Sequence, residues 1–399
     1  MIDRDTAGLG EQREIIRELL KPQPTVIGIE GGPCGGKTTL LEKLQNAESD
    51  REVVCLPEAA SQYIAALAKK GIDFSSLPER DRELYLAVEE QILGDIVRNI
   101  ESALEVYAGT DAIIVADRCD IGAYVTDEEY KTILQNIGLD MPPMLSHVDQ
   151  LHYLPSLAHL DAGKYAALRT GNASRVEADA ETAEVVCRNN LSAVARHPEL
   201  HVAWGGDFDE TIEGLASAIL HPENEDEVKL APTRTGIAEL VVLGAEHLAT
   251  ANIRQVYYQL DGYVFRLRET ITDKGEIIRT FTQKTGEGIH RREVQRRIND
   301  ELYRKLSICD QVGAPLEKSR SLVLLPEPEH ESKMKMWAFD RYFDRRLPEW
   351  NCETDVKGEQ EAAAVEARMF GFERSAIGTE KLARLLGTKA LMPAAIRSV

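Results

Sequence analysis

Residues 31–38 read Gly31-Gly32-Pro33-Cys34-Gly35-Gly36-Lys37-Thr38, a complete GxxxxGKT phosphate-binding loop. Thr25-Val26-Ile27-Gly28-Ile29-Glu30 precedes it as an apolar strand, and Leu40, Leu41 and Leu44 follow at helical spacing. Glycines let the backbone curl until successive N–H groups point inward at phosphate oxygens. The helix adds the positive end of its dipole. Lys37 is therefore expected to reach the β- and γ-phosphates and Thr38 to hold Mg²⁺. Gly31, Gly32, Pro33, Cys34, Gly35, Gly36 and Thr39 complete the expected nucleotide contacts. ATP or GTP is the expected ligand. This loop restricts its part of the chain to strand, loop and helix, hence to a parallel α/β sheet.

Over residues 1–222 the remaining pattern agrees. Apolar runs at 52–56, 112–116, 148–154 and 200–204 alternate with helical stretches, the longest over about 78–107. Strands this short and apolar belong to a sheet covered on both faces. Residues 223–235 carry the acidic run Glu223-Asn224-Glu225-Asp226-Glu227 and then Pro232, which reads as a linker. From 236 to 375 the period changes to two, in runs at 255–259, 263–269, 278–284, 318–325 and 335–343. This predicts antiparallel β structure, as sandwich or barrel. Residues 376–399 read as a helical tail capped by Thr379.

Composition limits the partners. The net charge of −20 over 399 residues disfavours a general nucleic-acid surface. The six cysteines include no CxxC pair, so neither a zinc knuckle nor a disulfide framework is indicated, and a reducing cytoplasmic setting is expected. No apolar run approaches the roughly 18 residues that span a bilayer. The oligomeric state is not legible.

Chemistry-bearing residues gather around the loop. Asp117 ends the run Ile113-Ile114-Val115-Ala116, where a carboxylate faces the phosphate loop and holds Mg²⁺; Arg118 follows it. Glu58, after the second strand, is placed to orient or deprotonate an acceptor hydroxyl. Arg169 and Arg175 lie on a polar stretch able to close over a γ-phosphate. In the second half, charges of one sign recur at i,i+2: Arg266 with Arg268, Lys318 with Arg320, Glu353 with Asp355. Such pairs share one face of a strand. A barrel of about eight strands has a lumen that cations for a polyphosphate and acids for its metals would line.

These motifs carry two resemblances. The loop, Pro57-Glu58-Ala59-Ala60 and Asp117-Arg118-Cys119-Asp120 resemble the AAA-domain group of P-loop ATPases and kinases, which includes nicotinamide-riboside-kinase-like domains, over roughly 22–220. That implies a kinase-like sheet, Mg²⁺ and ATP or GTP, with catalytic roles for Lys37, Glu58, Asp117, Arg118 and Arg175. Residues 237–375 resemble the CYTH, or triphosphate tunnel metalloenzyme, superfamily, with its pieces in family order. That implies Arg266, Arg268, Lys284, Lys318 and Arg320 as triphosphate grips. It implies Glu293, Glu353 and Asp355 as ligands for Mg²⁺ or Mn²⁺, with Asp340 nearby. The family's opening ExExK strand is expected at 238–243, where only Glu239 is acidic and Val241 and Leu243 are apolar. Gln295 stands where the family has a second acid. The barrel is accordingly expected to bind a triphosphate and to hydrolyse it poorly.

The leading expectation is a Mg²⁺-dependent phosphotransferase or NTPase fused to a tunnel domain that acts on phosphorylated small molecules or nucleotides. Two alternatives stay open. The barrel is the main catalyst and the loop regulatory, or the chain senses a polyphosphate or an RNA 5′-triphosphate with a nucleotide switch.

Overall fold

The computed structural model describes residues 9–169, 179–203, 207–232, 246–287, 290–327, 330–343, 350–355 and 372–374. Contacts divide the chain into two units, one spanning 22–222 and the other combining 1–21 with 223–399.

The unit of 22–222 is built on five strands: β1 (Thr25–Gly31), β2 (Val53–Leu56), β3 (Ile113–Asp117), β4 (Gln150–Leu154) and β5 (Leu200–Val202). All pair in parallel, in the order β2-β3-β1-β4-β5. Every residue of β1 is buried, as a strand covered on both faces requires. Helices Lys37–Gln45 and Phe208–Leu220 cover one face, where Leu40, Leu44, Ile212 and Ile219 pack on Ile27, Ile29 and Val115. Helix Arg82–Val106 contacts β3 and helix Ala180–Val194 contacts β1. Between β3 and β4 the chain crosses from one side of β1 to the other. A crevice therefore opens at the carboxyl end of β1, where ligands bind in open α/β sheets. The expected α/β sheet is present, and its five strands fall on the five predicted runs.

At the far side of this sheet His152 on β4 stacks on His201 of β5, with ring centroids 4.9 Å apart. Neither ring nitrogen of His152 has a hydrogen-bond partner. Burial first, then the neighbouring His201 and His197, holds its imidazole well below the ordinary value of 6.5. The folded chain therefore keeps His152 neutral while the unfolded chain protonates it. Stability from this group is complete above about pH 6.5 and falls with acid, at up to about 1.4 kcal/mol per pH unit. His152→Leu is expected to flatten the stability profile below that pH; chemical denaturation at pH 5, 6 and 7.5 measures it. Equal slopes for the two proteins would contradict the assignment.

Among its described residues the other unit carries ten strands. They are β6 (Asn224–Pro232), β7 (Glu246–Leu260), β8 (Tyr263–Thr272), β9 (Ile277–Glu287), β10 (His290–Arg297), β11 (Asp310–Gln311), β12 (Leu316–Glu327), β13 (His330–Tyr342), β14 (Trp350–Asp355) and β15 (Phe372–Arg374). The pairing path is β10-β9-β8-β7-β12-β13-β14-β6, antiparallel throughout, and β6 also pairs with β10. The path thus returns to its first strand. Short β11 joins β7, and β15 joins β6.

Two expected boundaries are corrected. The described residues 9–21 do not belong with the parallel sheet: helix Leu9–Leu20 buries Ile16 and Leu19 among Val256, Tyr258, Phe265, Leu267 and Phe281. These apolar positions alternate with Arg266 and Arg268 along β8 and need a cover on their own face. Lys305 Nζ to Glu11 at 2.9 Å and Arg13 Nη2 to Asp261 at 3.0 Å fasten the helix. Within the stretch read as a linker, Asn224–Pro232 form strand β6, paired with β14 and β10. Clustered charge suggested solvent, but alternation at period two is equally what one face of a strand presents. The 376–399 tail lies outside the described residues. No described helix is long and apolar enough to cross a membrane.

Candidate phosphate sites

The phosphate loop leaves β1 through Gly31 and enters helix Lys37–Gln45 at Gly36. Gly36 has φ 96°, a left-handed conformation that glycine adopts without strain. A Cβ on Gly31 would lie 2.1 Å from the Leu154 carbonyl oxygen, so the loop sits directly against the end of β4. Ser156 Oγ donates to the Pro33 carbonyl at 2.7 Å and so ties the loop to the turn after β4. Cys34 takes φ 56° and packs near Ala158, Tyr165 and Ala183. Lys37 Nζ donates to the Gly31 carbonyl at 2.9 Å, folded over its own loop. Thr38 and Thr39 are exposed in the first helical turn.

Asp117 and Arg118 end β3 beside this loop. Asp117 pairs in register with Ile29, and its Oδ1 is buried without a hydrogen-bond partner. Burial raises its carboxyl to about 6, opposed by Lys37 and Arg118 and assisted by Glu58. Those couplings place Lys37, Asp117, Glu58 and Arg118 in one electrostatic group. Glu58 precedes helix Ala59–Lys69 and accepts from Ser61 Oγ at 2.5 Å. Arg118 takes φ 64°, and its guanidinium lies over the Tyr124 ring at 4.2 Å. Sequence reasoning missed the residue that fixes this turn. Glu30 Oε1 accepts from Cys119 N at 2.8 Å and Asp120 N at 3.1 Å. Burial raises the Glu30 carboxyl to about 7. The signal was an acid closing an otherwise apolar strand. Asp120, matched from sequence as a further acid, serves the fold: it accepts from Gly122 N at 2.6 Å and Tyr130 Oη at 2.7 Å. Arg169 ends helix Ala162–Arg169, its side chain outside the described set, and Arg175 lies outside the described residues.

In the other unit, register gathers the expected cations on one face. Paired residues of antiparallel strands share a face. Lys318 pairs with Ile253 and Tyr342, Arg320 with Asp340, and Asp340 with Asn351. Around the other side Gln255 pairs with Arg268, Arg268 with Thr280, Arg266 with Thr282, and Thr282 with Gln295. Arg266 and Lys318 are 7% and 5% exposed, and Asp340 is 0% exposed. Lys318 Nζ bonds Asp340; Arg320 bonds Asp340 through Nε at 2.8 Å and also reaches Glu353. Burial raises the Asp340 carboxyl, but Arg320 and Lys318 outweigh it and hold the group below its ordinary value. Burial, joined by Arg320, lowers the Lys318 amine to about 8 despite Asp340. Arg266 Nη2 donates to Thr282 Oγ1 at 3.2 Å and Glu293 Oε1 at 3.3 Å. Gln255 Oε1, Thr280 Oγ1 and both amide atoms of Asn351 are buried without hydrogen-bond partners on this same face.

Lys284 is opposite Glu293 and Asp355 opposite Glu227 in register; the side chains of Lys284 and Asp355 are outside the described set. The segment 238–243, expected to supply an acidic first strand, also lies outside it. The same spacing of acids and lysine also occurs in β6 as Glu225-Asp226-Glu227-Val228-Lys229, with Glu225 opposite Arg291, Glu227 opposite Asp355 and Lys229 opposite Glu353 in register. Assigning this run to a linker had hidden it. Among the described residues no group of three acidic, histidine or cysteine side chains gathers closely enough to hold a metal. Glu293 and Glu353 each meet an arginine.

The AAA domain family matches residues 26–130. No curated protein matches the chain. Solved structures that resemble it include the PH1819 protein from Pyrococcus horikoshii OT3, at 19% identity over 41% of this chain and 91% of that one, with TM-score 0.27. A conserved hypothetical protein from Pyrococcus furiosus is similar at 16% identity over 41% and 91%, with TM-score 0.26. The inorganic triphosphatase NE1496 is similar at 19% identity over 41% and 97%, with TM-score 0.26. Overlaps this loose carry no argument about the activity of this chain. Residues 26–130 form an AAA-type P-loop domain, and the family match and the phosphate-loop geometry agree on it.

Proposed function

We propose that the chain is an enzyme with two phosphate sites, one in each unit. In the first, the loop of 31–38 holds ATP or GTP and the site moves the γ-phosphate to a small-molecule hydroxyl or to water. The observation that carries this is the buried, unpartnered Asp117 Oδ1 beside Lys37. A buried carboxylate oxygen without a donor suits a cation. Asp117 and the Thr38 hydroxyl are the residues that would hold Mg²⁺, which neutralises charge developing on the transferred phosphoryl group. Lys37 grips the phosphates, Glu58 orients the acceptor and Arg118 adds positive charge.

In the second unit, the returning strand path is read as a closed tunnel. Arg266, Arg268, Lys284, Lys318 and Arg320 would bind a triphosphate, and its buried oxygens would take hydrogen bonds that Asn351 Nδ2 lacks. A second reading makes this tunnel the main hydrolase. The register of β6 favours it, because it sets Glu227 opposite Asp355 and Lys229 opposite Glu353, two positions proposed to hold Mg²⁺ or Mn²⁺.

Phosphate release from ATP, GTP and tripolyphosphate, each with Mg²⁺ and Mn²⁺, separates the readings. Glu225→Gln with Glu227→Gln is expected to abolish tripolyphosphate cleavage if the tunnel is catalytic. Undiminished cleavage in that double variant would sink the second reading. A chain that binds none of the three compounds would sink both.

A further inference from the structure

We infer that Glu30 is a positioning residue of the phosphate-transfer site in the first unit. Its side chain locks the Asp117–Arg118 turn to the strand that carries the phosphate loop, and so sets both residues against the bound γ-phosphate; this rests on the phosphotransfer reading above.

The need for a lock arises where the two strands part. β1 and β3 pair only as far as Ile29 opposite Asp117, and the Arg118 N–H closes that ladder on the Ile29 carbonyl at 3.0 Å. β1 runs on with β4 as its partner, Glu30 opposite Tyr153 and Gly31 opposite Leu154. Beyond Arg118 the chain leaves the ladder, and its next backbone N–H groups need other acceptors. Glu30 supplies one: its Oε1 accepts from Cys119 N at 2.8 Å and from Asp120 N at 3.1 Å. All three residues are buried. The turn held in this way is one that arginine does not adopt freely. Arg118 takes φ 64°, in the left-handed region. A non-glycine residue persists there only where its surroundings over-determine the backbone, and such positions cluster at functional sites. The Ile29 carbonyl fixes the start of this turn and Glu30 fixes its end. The result carries the Arg118 guanidinium over the Tyr124 ring at 4.2 Å.

Glu30 is also the residue immediately before the phosphate loop. Gly31 after it is pressed on the end of β4, where a Cβ would collide with the Leu154 carbonyl oxygen. The Gly32 N–H bonds that same carbonyl at 2.9 Å. One residue thus joins the loop, through its backbone, to the acid–arginine turn, through its side chain. A misplacement of about 1 Å between the groups that hold a nucleotide and those that act on its γ-phosphate costs about 100-fold in rate. The charge of Glu30 has the same sign as Asp117 and as the phosphates, so the site draws on its acceptor oxygen and not on its charge. A side-chain amide oxygen at the same reach accepts the same two bonds.

The test compares the full chain with two variants. Glu30→Gln keeps an acceptor oxygen at the same reach, and Glu30→Met keeps the length and removes the acceptor. ADP formation from MgATP gives kcat and KM, and titration with a non-hydrolysable ATP analogue gives nucleotide affinity. Glu30→Met is expected to lose about 10- to 100-fold in kcat, with KM and analogue affinity within about three-fold of the parent. Glu30→Gln is expected to keep kcat within about three-fold, because its amide oxygen accepts both bonds. Where Glu30→Met does not fold, Glu30→Ala takes its place: the smaller side chain admits water to the Cys119 and Asp120 N–H groups without restoring the lock, and the same kcat loss is expected. Parent-like kcat without the acceptor overturns the inference and leaves the phosphate-loop reading standing. So does a loss of affinity as large as the loss of kcat, or a Glu30→Gln protein as slow as Glu30→Met. Absence of any nucleotide turnover in the parent overturns that reading and this one with it.

Discussion

Lys37→Ala is expected to lower nucleotide turnover by about 100- to 1,000-fold, the range for deleting one preorganised donor to a developing oxyanion. The amine now rests on the Gly31 carbonyl at 2.9 Å, within its own loop. A triphosphate entering the loop offers it a stronger, charge-assisted partner. The side chain is only half-buried, so its removal leaves no cavity and the fold is expected to survive. The loss then belongs to the chemical step and to nucleotide affinity. Asp117 should respond as well: without the lysine, the strongest influence lowering its carboxyl is gone. Its group then stays protonated to higher pH, and residual turnover should rise over a more alkaline range than in the parent. Steady-state phosphate release from pH 5 to 9 measures both effects. A Lys37→Ala protein that turns nucleotide over at the parent rate would remove the loop from the chemistry.

Asp340→Ala carries the largest expected effect on stability, about 3–5 kcal/mol, the cost of breaking a buried ion pair by removing one partner. Asp340 is fully buried and bonds both Lys318 and Arg320. Removing it strands two cations in the interior of the second unit. Arg320 keeps Glu353, but Lys318 loses its ion pair and keeps the Tyr342 ring, 5.7 Å from its amine, and the more distant charge of Glu353. Its amine, already near 8, loses the first of its opposing influences and is driven toward the neutral form. Adding Lys318→Met should therefore restore part of the loss, because an apolar side chain does not need the missing carboxylate. Urea denaturation of the single and double variants shows this, followed by a probe in the second unit such as Trp337. Equal midpoints for Asp340→Ala and the parent would contradict the pairing.

Most of the first unit was legible because its signals are local. The GxxxxGKT spacing, the apolar run before it and the acid at the end of Ile113-Ile114-Val115-Ala116 are each read within a few residues, and the fold follows from them. Glu30 was not legible as a site residue. Its role depends on where β3 brings the backbone N–H groups of Cys119 and Asp120, and no spacing encodes that. In the second unit the period-two runs located β7, β8, β9, β12 and β13, and the paired cations share a face as expected. The error lay at β6, where the acidic run was read as a linker. A lone acidic run does not say whether water or a closing strand surrounds it; only its partners β14 and β10 decide. Helix Leu9–Leu20 was misassigned for a related reason. Its apolar stripe fits any open face, and the one it covers lies more than 200 residues later in the chain.

Two separate triphosphate sites on one chain is the central claim, and calorimetric titration with a non-hydrolysable ATP analogue and with tripolyphosphate tests it at fixed salt and Mg²⁺. Two binding events are expected for the parent protein. Lys37→Ala should lose one and Arg266→Ala the other, each leaving its counterpart unchanged. A single binding event in the parent, or the loss of both in either variant, would contradict it.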